Sequence, residues 1–343
     1  MTSTGTPNAM KPLIFAAAAL AAAPLSAQEL DKVVFATNWF AQGGHGGWYQ
    51  ALADGTFAAH GIDLEIRPGG PQVNNRPMLP AGQIDFLMAG NLLLSFDNVR
   101  NEIPTVVVAA FYQKDPQILM AHEGVYADFA ALAAAPRILI SRDGQISFWR
   151  WLVDAHGFSD EQLRPYTYNL AEWLTDETIV QQGYGTAEPL YAIAAGASPQ
   201  SFLLADYGWN TYSTTIEART EMVAENPDLV QRFVDASIIG WNTYLYGDPV
   251  LGNEAIVAAN PEYTIERLNQ EIEAMKALGI VDSGDALELG LGAMSPDRIE
   301  AFYDLAVGAG ILEAGSVDVA AVADDQFVNK GVGLELKREL TGQ

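Results

Sequence analysis

One pattern recurs along this chain of 343 residues and limits its fold more than any other feature: a short apolar run, a polar junction bearing glycine or asparagine, then a stretch with helical periodicity. The first instance runs from a strand over 33–37, through a junction over 38–45, into a helix over 46–59 that stops before Gly61, and on to a second strand over 62–66. Gly43, Gly44, Gly46 and Gly47 surround His45. Glycines there would let the backbone come close to a bound group, and the free N–H groups of the helix start would supply donors.

The pattern repeats with a strand over 85–88 before Gly90 and Asn91, and a strand over 137–140 before a polar loop over 141–145 and a helix over 148–156. A run over 105–111 reads as a fully buried strand, and further strands are expected over 117–121, 166–169 and 201–205. Beyond a strand ending near Ile216, helices follow over 227–246, 253–260, 264–278 and 296–307, the first opening on Pro227. Strand, junction and helix in alternation imply an α/β fold with mostly parallel sheets. The pattern restarts near residue 115 with no linker in between. Two lobes sharing strands across a hinge would produce this, and so would one continuous doubly wound domain.

Charge and cysteine usage exclude several functions. A formal net charge of −25 makes nucleic acid or an anionic membrane a poor partner. Cysteine is absent, which removes thiolate catalysis, cysteine metal sites and a lipid-attachment cysteine. The first 27 residues read as a secretory signal: Lys11, an apolar run over 13–23, and small residues up to Ala27. Met10 is an alternative start.

No phosphate-loop lysine, metalloprotease helix or hydrolase elbow is present, and the four histidines show no metal-ligand spacing, so neither catalysis nor a cofactor is expected. Candidate binding residues come from the polar junctions instead. Trp39 and Tyr184 are aromatic faces at strand ends, where planar ligands are held. Glu188 precedes Pro189 at a helix start, and Asp206 and Tyr207 precede Gly208; each carboxylate reads equally well as a helix-end or turn residue.

In order, Asn38 with Trp39, His45 with Gly46, the run 81–86, Gly183 with Tyr184, Glu188 with Pro189, Asp206 with Tyr207 and Gly208, and the helix start 227–233 resemble the substrate-binding proteins of ABC importers. The branch is the one that includes thiamine-pyrimidine-precursor, nitrate and sulfonate binders. That resemblance implies a type II periplasmic binding protein with two lobes, residues 28–113 plus 212–343 and residues 114–211, joined by a two-stranded hinge. It implies a soluble periplasmic monomer, a small-molecule ligand enclosed between lobes and an ABC permease as partner. Trp39 would stack on the ligand ring, Asn38 and His45 would contact it from the first lobe, and Tyr184 and Glu188 from the second. Gly90, Asn91 and Gln145 are added from neighbouring loops. Two alternatives stand beside this: a sulfonate or nitrate binder using Arg76 or Arg142, and a pyrimidine-synthesis enzyme using His45.

Overall fold

The computed structural model describes residues 1–5, 29–70 and 73–342; nearly all of the expected signal segment lies outside these residues. Ten strands form two five-stranded sheets. The first contains β1 (Asp31–Ala36), β2 (Ile62–Arg67), β3 (Phe86–Met88), β4 (Thr105–Tyr112) and β10 (Ser213–Arg219). The second contains β5 (Gln117–His122), β6 (Arg137–Ile140), β7 (Leu163–Pro165), β8 (Ile179–Tyr184) and β9 (Pro199–Leu203).

The two sheets repeat one design. Their orders are β2-β1-β3-β10-β4 and β7-β6-β8-β5-β9. In each, the second-last strand is antiparallel to both its neighbours and is the strand that has just crossed from the other sheet. The remaining pairings are parallel. This is the expected two-lobed, mostly parallel α/β architecture. The crossings are 113–116, between β4 and β5, and 204–212, between β9 and β10. Lys114 of one crossing pairs with Asp206 of the other at 2.7 Å.

Local chemistry accounts for the element ends. Asn91 caps the helix Leu92–Arg100, its Oδ1 accepting from the Leu93 N–H at 3.2 Å. Every residue of β4 is buried, as a strand covered on both faces requires. Three expectations are corrected. The helix after His45 is two pieces, Gly46–Ala53 and Thr56–Ala59, broken where Gly55 takes φ 82°. The strand expected at 166–169 lies earlier, at Leu163–Pro165, and Tyr168 turns into the left-handed region at φ 59°. The glycines around His45 make room for protein: a Cβ on Gly46 would sit 2.0 Å from the Tyr244 ring, and one on Gly47 would sit 2.2 Å from Trp241. They let the helix Gly46–Ala53 pack closely on the helix Pro227–Tyr246, where Gly240 meets the Gly47 carbonyl in return.

Candidate functional site

An enclosed cavity of about 40 Å³ lies where the two sheets face each other. From the first lobe it is lined by Asn38, Gln42, His45, Gly90, Tyr112 and Glu271, with Thr214 of β10 behind; Tyr184, Thr186 and Ala187 close it from the second. A wider depression outside, between Leu190 and the helix Ile265–Leu278, is open to solvent and shallow, without the convergent buried polar groups of a ligand site.

His45 ends the short turn Gly43–His45 and is fully enclosed. Burial lowers its imidazole pKa to about 3, so the ring is neutral at physiological pH. Its Nε2 lies 3.4 Å from the Gln42 amide nitrogen, while Nδ1 is buried without a protein partner. If the Gln42 amide donates, Nε2 accepts and the proton sits on Nδ1 as an unused donor.

Glu271 comes from the helix Ile265–Leu278 and is buried. Its Oε2 accepts from the Gly43 N–H at 2.9 Å and its Oε1 from Arg267 Nε at 3.1 Å. A Cβ on Gly43 would be 2.5 Å from that Oε2, so a side chain here would push the carboxylate out of its present position. Desolvation pushes the Glu271 carboxyl above its ordinary range, and the Arg267 charge opposes this. Thr214 carries φ 50°, rare for a β-branched residue, between the paired residues Ser213 and Thr215. Backbone held this way at a cavity wall is stored strain.

Beside the cavity, the rings of Trp39 and Tyr168 meet from opposite lobes, 6.2 Å between centroids and tilted by 36°. Tyr166 lies 5.2 Å from Tyr168, and its hydroxyl donates to Glu188 Oε1 at 3.0 Å. Glu188 Oε2 accepts from the Tyr184 N–H at 2.6 Å. Both Glu188 oxygens are thus held within its own lobe.

Of the residues named from sequence, Asn38, His45, Gly90 and Tyr184 line the cavity. Trp39 and Glu188 stand beside it. Asn91 is turned to Asp115, 3.1 Å from its Oδ2, and Gln145 donates to the Ile140 carbonyl at 3.0 Å. Asp206 is the hinge partner of Lys114, and Tyr207 stacks on Phe129 at 3.9 Å, inside the second lobe. Arg142 is exposed on the surface, and Arg76 donates to Asn98 Oδ1 at 2.7 Å, beneath the first sheet. Sequence reasoning missed Tyr112, Glu271 and Thr214. An Arg267 and Glu271 pair four residues apart looks like any helical ion pair until the fold brings Gly43 to it.

Residues 42–250 match the NMT1/THI5-like family. The chain belongs to that family. Among curated proteins it is similar to the riboflavin-binding protein RibY of Chloroflexus aurantiacus, 23% identical over 92% of this chain and 91% of that one. Among solved structures it is similar to the periplasmic sulfonate-binding protein SsuA from Methylobacillus flagellatus KT, with TM-score 0.60, 14% identity, and 91% of this chain and 96% of that one covered. The desulfurization enzyme DSZB is also similar, with TM-score 0.57, 15% identity, and coverage of 90% and 99%. This family member therefore has the periplasmic-binding-protein fold, the architecture of the solute-binding component of an ABC importer. Among the described residues no helix is long and apolar enough to cross a membrane.

Proposed function

We propose that this family member is the exported solute-binding component of an ABC importer, and that it closes its lobes over an uncharged, planar nitrogen heterocycle. The observation that carries the reading is the charge of the cavity wall. It presents a neutral histidine and a buried carboxylate, and among the described lining residues it has no lysine or arginine. A sulfonate or nitrate would face Glu271 with no cation in the wall to bind it, since Arg267 stands behind the carboxylate and is already paired with it. A heterocycle with N–H groups would instead find acceptors. The thiamine-pyrimidine resemblance and the riboflavin-binding relative both concern ligands of this shape.

Space of about 40 Å³ holds two or three waters at most, so a ring enters only when the lobes separate. Ligand then favours whichever closed arrangement it contacts from both sides. The 6.2 Å between the Trp39 and Tyr168 centroids is close to the roughly 7 Å that two stacking contacts of about 3.5 Å each require, so a small outward movement, with a rotation that removes the 36° tilt, would admit a ring between them.

The test is a thermal-shift panel on protein stripped of ligand by unfolding and refolding. Riboflavin, 4-aminopyrimidines, alkanesulfonates and nitrate are compared. A ligand at 100 times its dissociation constant adds about 2.7 kcal/mol of stability. Stabilisation by a heterocycle supports the reading; stabilisation by the anions alone would overturn it. Because an enzyme shares the fold, each stabilising compound is recovered and weighed by mass spectrometry. Conversion to product would replace the binding-protein assignment with an enzymatic one.

A further inference from the structure

We infer that Glu271 is the residue that selects the ligand, by accepting a hydrogen bond from a ring N–H or exocyclic amine, and that Arg267 is its positioning residue. The inference rests on the heterocycle reading above and puts the selecting carboxylate on a helix beyond the matched family segment, which ends at residue 250, in place of the Glu188 that the sequence resemblance implies.

Three observations support it. First, Glu271 lines the cavity and Glu188 does not. Second, the two carboxylates are held from different lobes, with one of these bonds to each oxygen: Glu271 by Gly43 and Arg267 of the first lobe, Glu188 by Tyr166 and the Tyr184 N–H of the second, so position at the cavity wall is what separates them. Third, one of the first-lobe donors that orient Glu271 also touches the opposite half of the cleft. Arg267 lies with its guanidinium carbon 3.4 Å from the ring centroid of Tyr191, a second-lobe residue on the helix Glu188–Ala194, and its Nη2 is buried without a partner. Arg267 therefore touches the carboxylate of its own helix and a ring of the second lobe at the same time. The ligand-reading group and the closure contact share one ion pair.

A buried carboxylate flanked by a neutral histidine discriminates by penalty as well as attraction. An anion, or a ring offering only acceptors, displaces water from it and brings no donor in exchange. His45, which lines the same cavity, has an Nδ1 without a protein partner, a donor for a ring nitrogen once the lobes part.

The experiment measures binding by tryptophan fluorescence for the heterocycle among riboflavin, lumichrome and 4-amino-2-methylpyrimidine that stabilises the wild type most. Glu271→Gln is expected to bind it roughly 10- to 100-fold more weakly, the size of a charged hydrogen bond, and Glu188→Gln to change it by less than about 3-fold. Glu271→Asp, which keeps the charge, should recover part of the loss. The wild-type affinity should fall on acidification as the carboxylate protonates, and the Glu271→Gln profile should lose that step. A structural role alone would not move the pH profile. Equal binding by Glu271→Gln and wild type, or a larger loss in Glu188→Gln, overturns the assignment to Glu271 and leaves the heterocycle reading in place. If none of the three compounds binds the wild type, the heterocycle reading itself falls and this inference with it.

Discussion

The two lobes share a strand order but contribute differently to the cleft. The first supplies buried polar groups fixed by packing: His45, Tyr112 and Glu271. The second supplies exposed aromatics and a turn: Tyr168 at 62% exposure, Tyr191 at 44%, and Tyr184, Thr186 and Ala187. One lobe is built to hold its chemistry before anything binds. The other acquires its role only by arriving. A repeated topology therefore says where a site lies and leaves open which half carries the selecting groups.

The widest test of that contrast is packing. Gly46→Ala in the first lobe puts a Cβ into the Tyr244 ring and is expected to cost about 3 kcal/mol or more. Gly157→Ala in the second lobe meets no atom within 4 Å and carries only the left-handed backbone penalty at φ 72°, about 1 kcal/mol. Urea melts of both variants check this, and equal losses would remove the claim that the first lobe is the more tightly packed.

Acid titration probes the buried histidine. A neutral His45 with a pKa of about 3 binds fewer protons folded than unfolded between about pH 3 and 6.5, so its contribution to stability is present above pH 6.5 and is lost as pH falls. Relative to His45→Asn, the wild type should lose up to roughly 1.4 kcal/mol per pH unit below 6.5. The carboxyls of Glu217 and Glu271, both pushed up by burial, act with the opposite sign, stabilising the fold as pH drops through their raised values. The difference between wild type and variant isolates the histidine, and parallel curves would place a solvated ring at that position.

Two smaller effects address the contact between lobes. Tyr191→Leu removes the ring under Arg267 while leaving the Arg267 to Glu271 pair intact, and should speed ligand release by roughly 3- to 10-fold, with the association rate unchanged. Stopped-flow fluorescence separates the two rates, and a change confined to association would place the effect outside the closed state. Lys114→Ala breaks the exposed hinge pair with Asp206 and should shift stability by no more than about 0.5 kcal/mol. A larger loss would mean that the hinge carries more of the lobe contact than its exposure implies.

Much of the architecture was legible because it depends on local sequence. Apolar runs with polar junctions marked the strands, and Pro227 marked the start of the long helix. The site was legible only as far as the junctions reach. Asn38, His45, Gly90 and Tyr184 sit at strand ends, where side chains of an α/β fold converge. Glu271 sits on an ordinary amphipathic helix, and its meaning comes from a hydrogen bond to a residue 228 positions away. The glycines of the first junction were visible but misread, because the helix they admit lies almost 200 residues downstream. Tyr168 was expected in a strand, since nothing in its neighbours announces the left-handed turn that directs it toward Trp39.

The placement of β10 also has a consequence in time. β3 and β4 are never neighbours, because β10 lies between them, and β10 is made after the whole of the second sheet. As the chain leaves the ribosome, every strand from β5 to β9 is available before Ser213–Arg219 appears. Until then β3 and β4 present unpaired edges, the kind of edge that recruits wrong partners. The middle of the sequence can finish its sheet first, and the lobe that begins at the N-terminus must wait to the last to be closed.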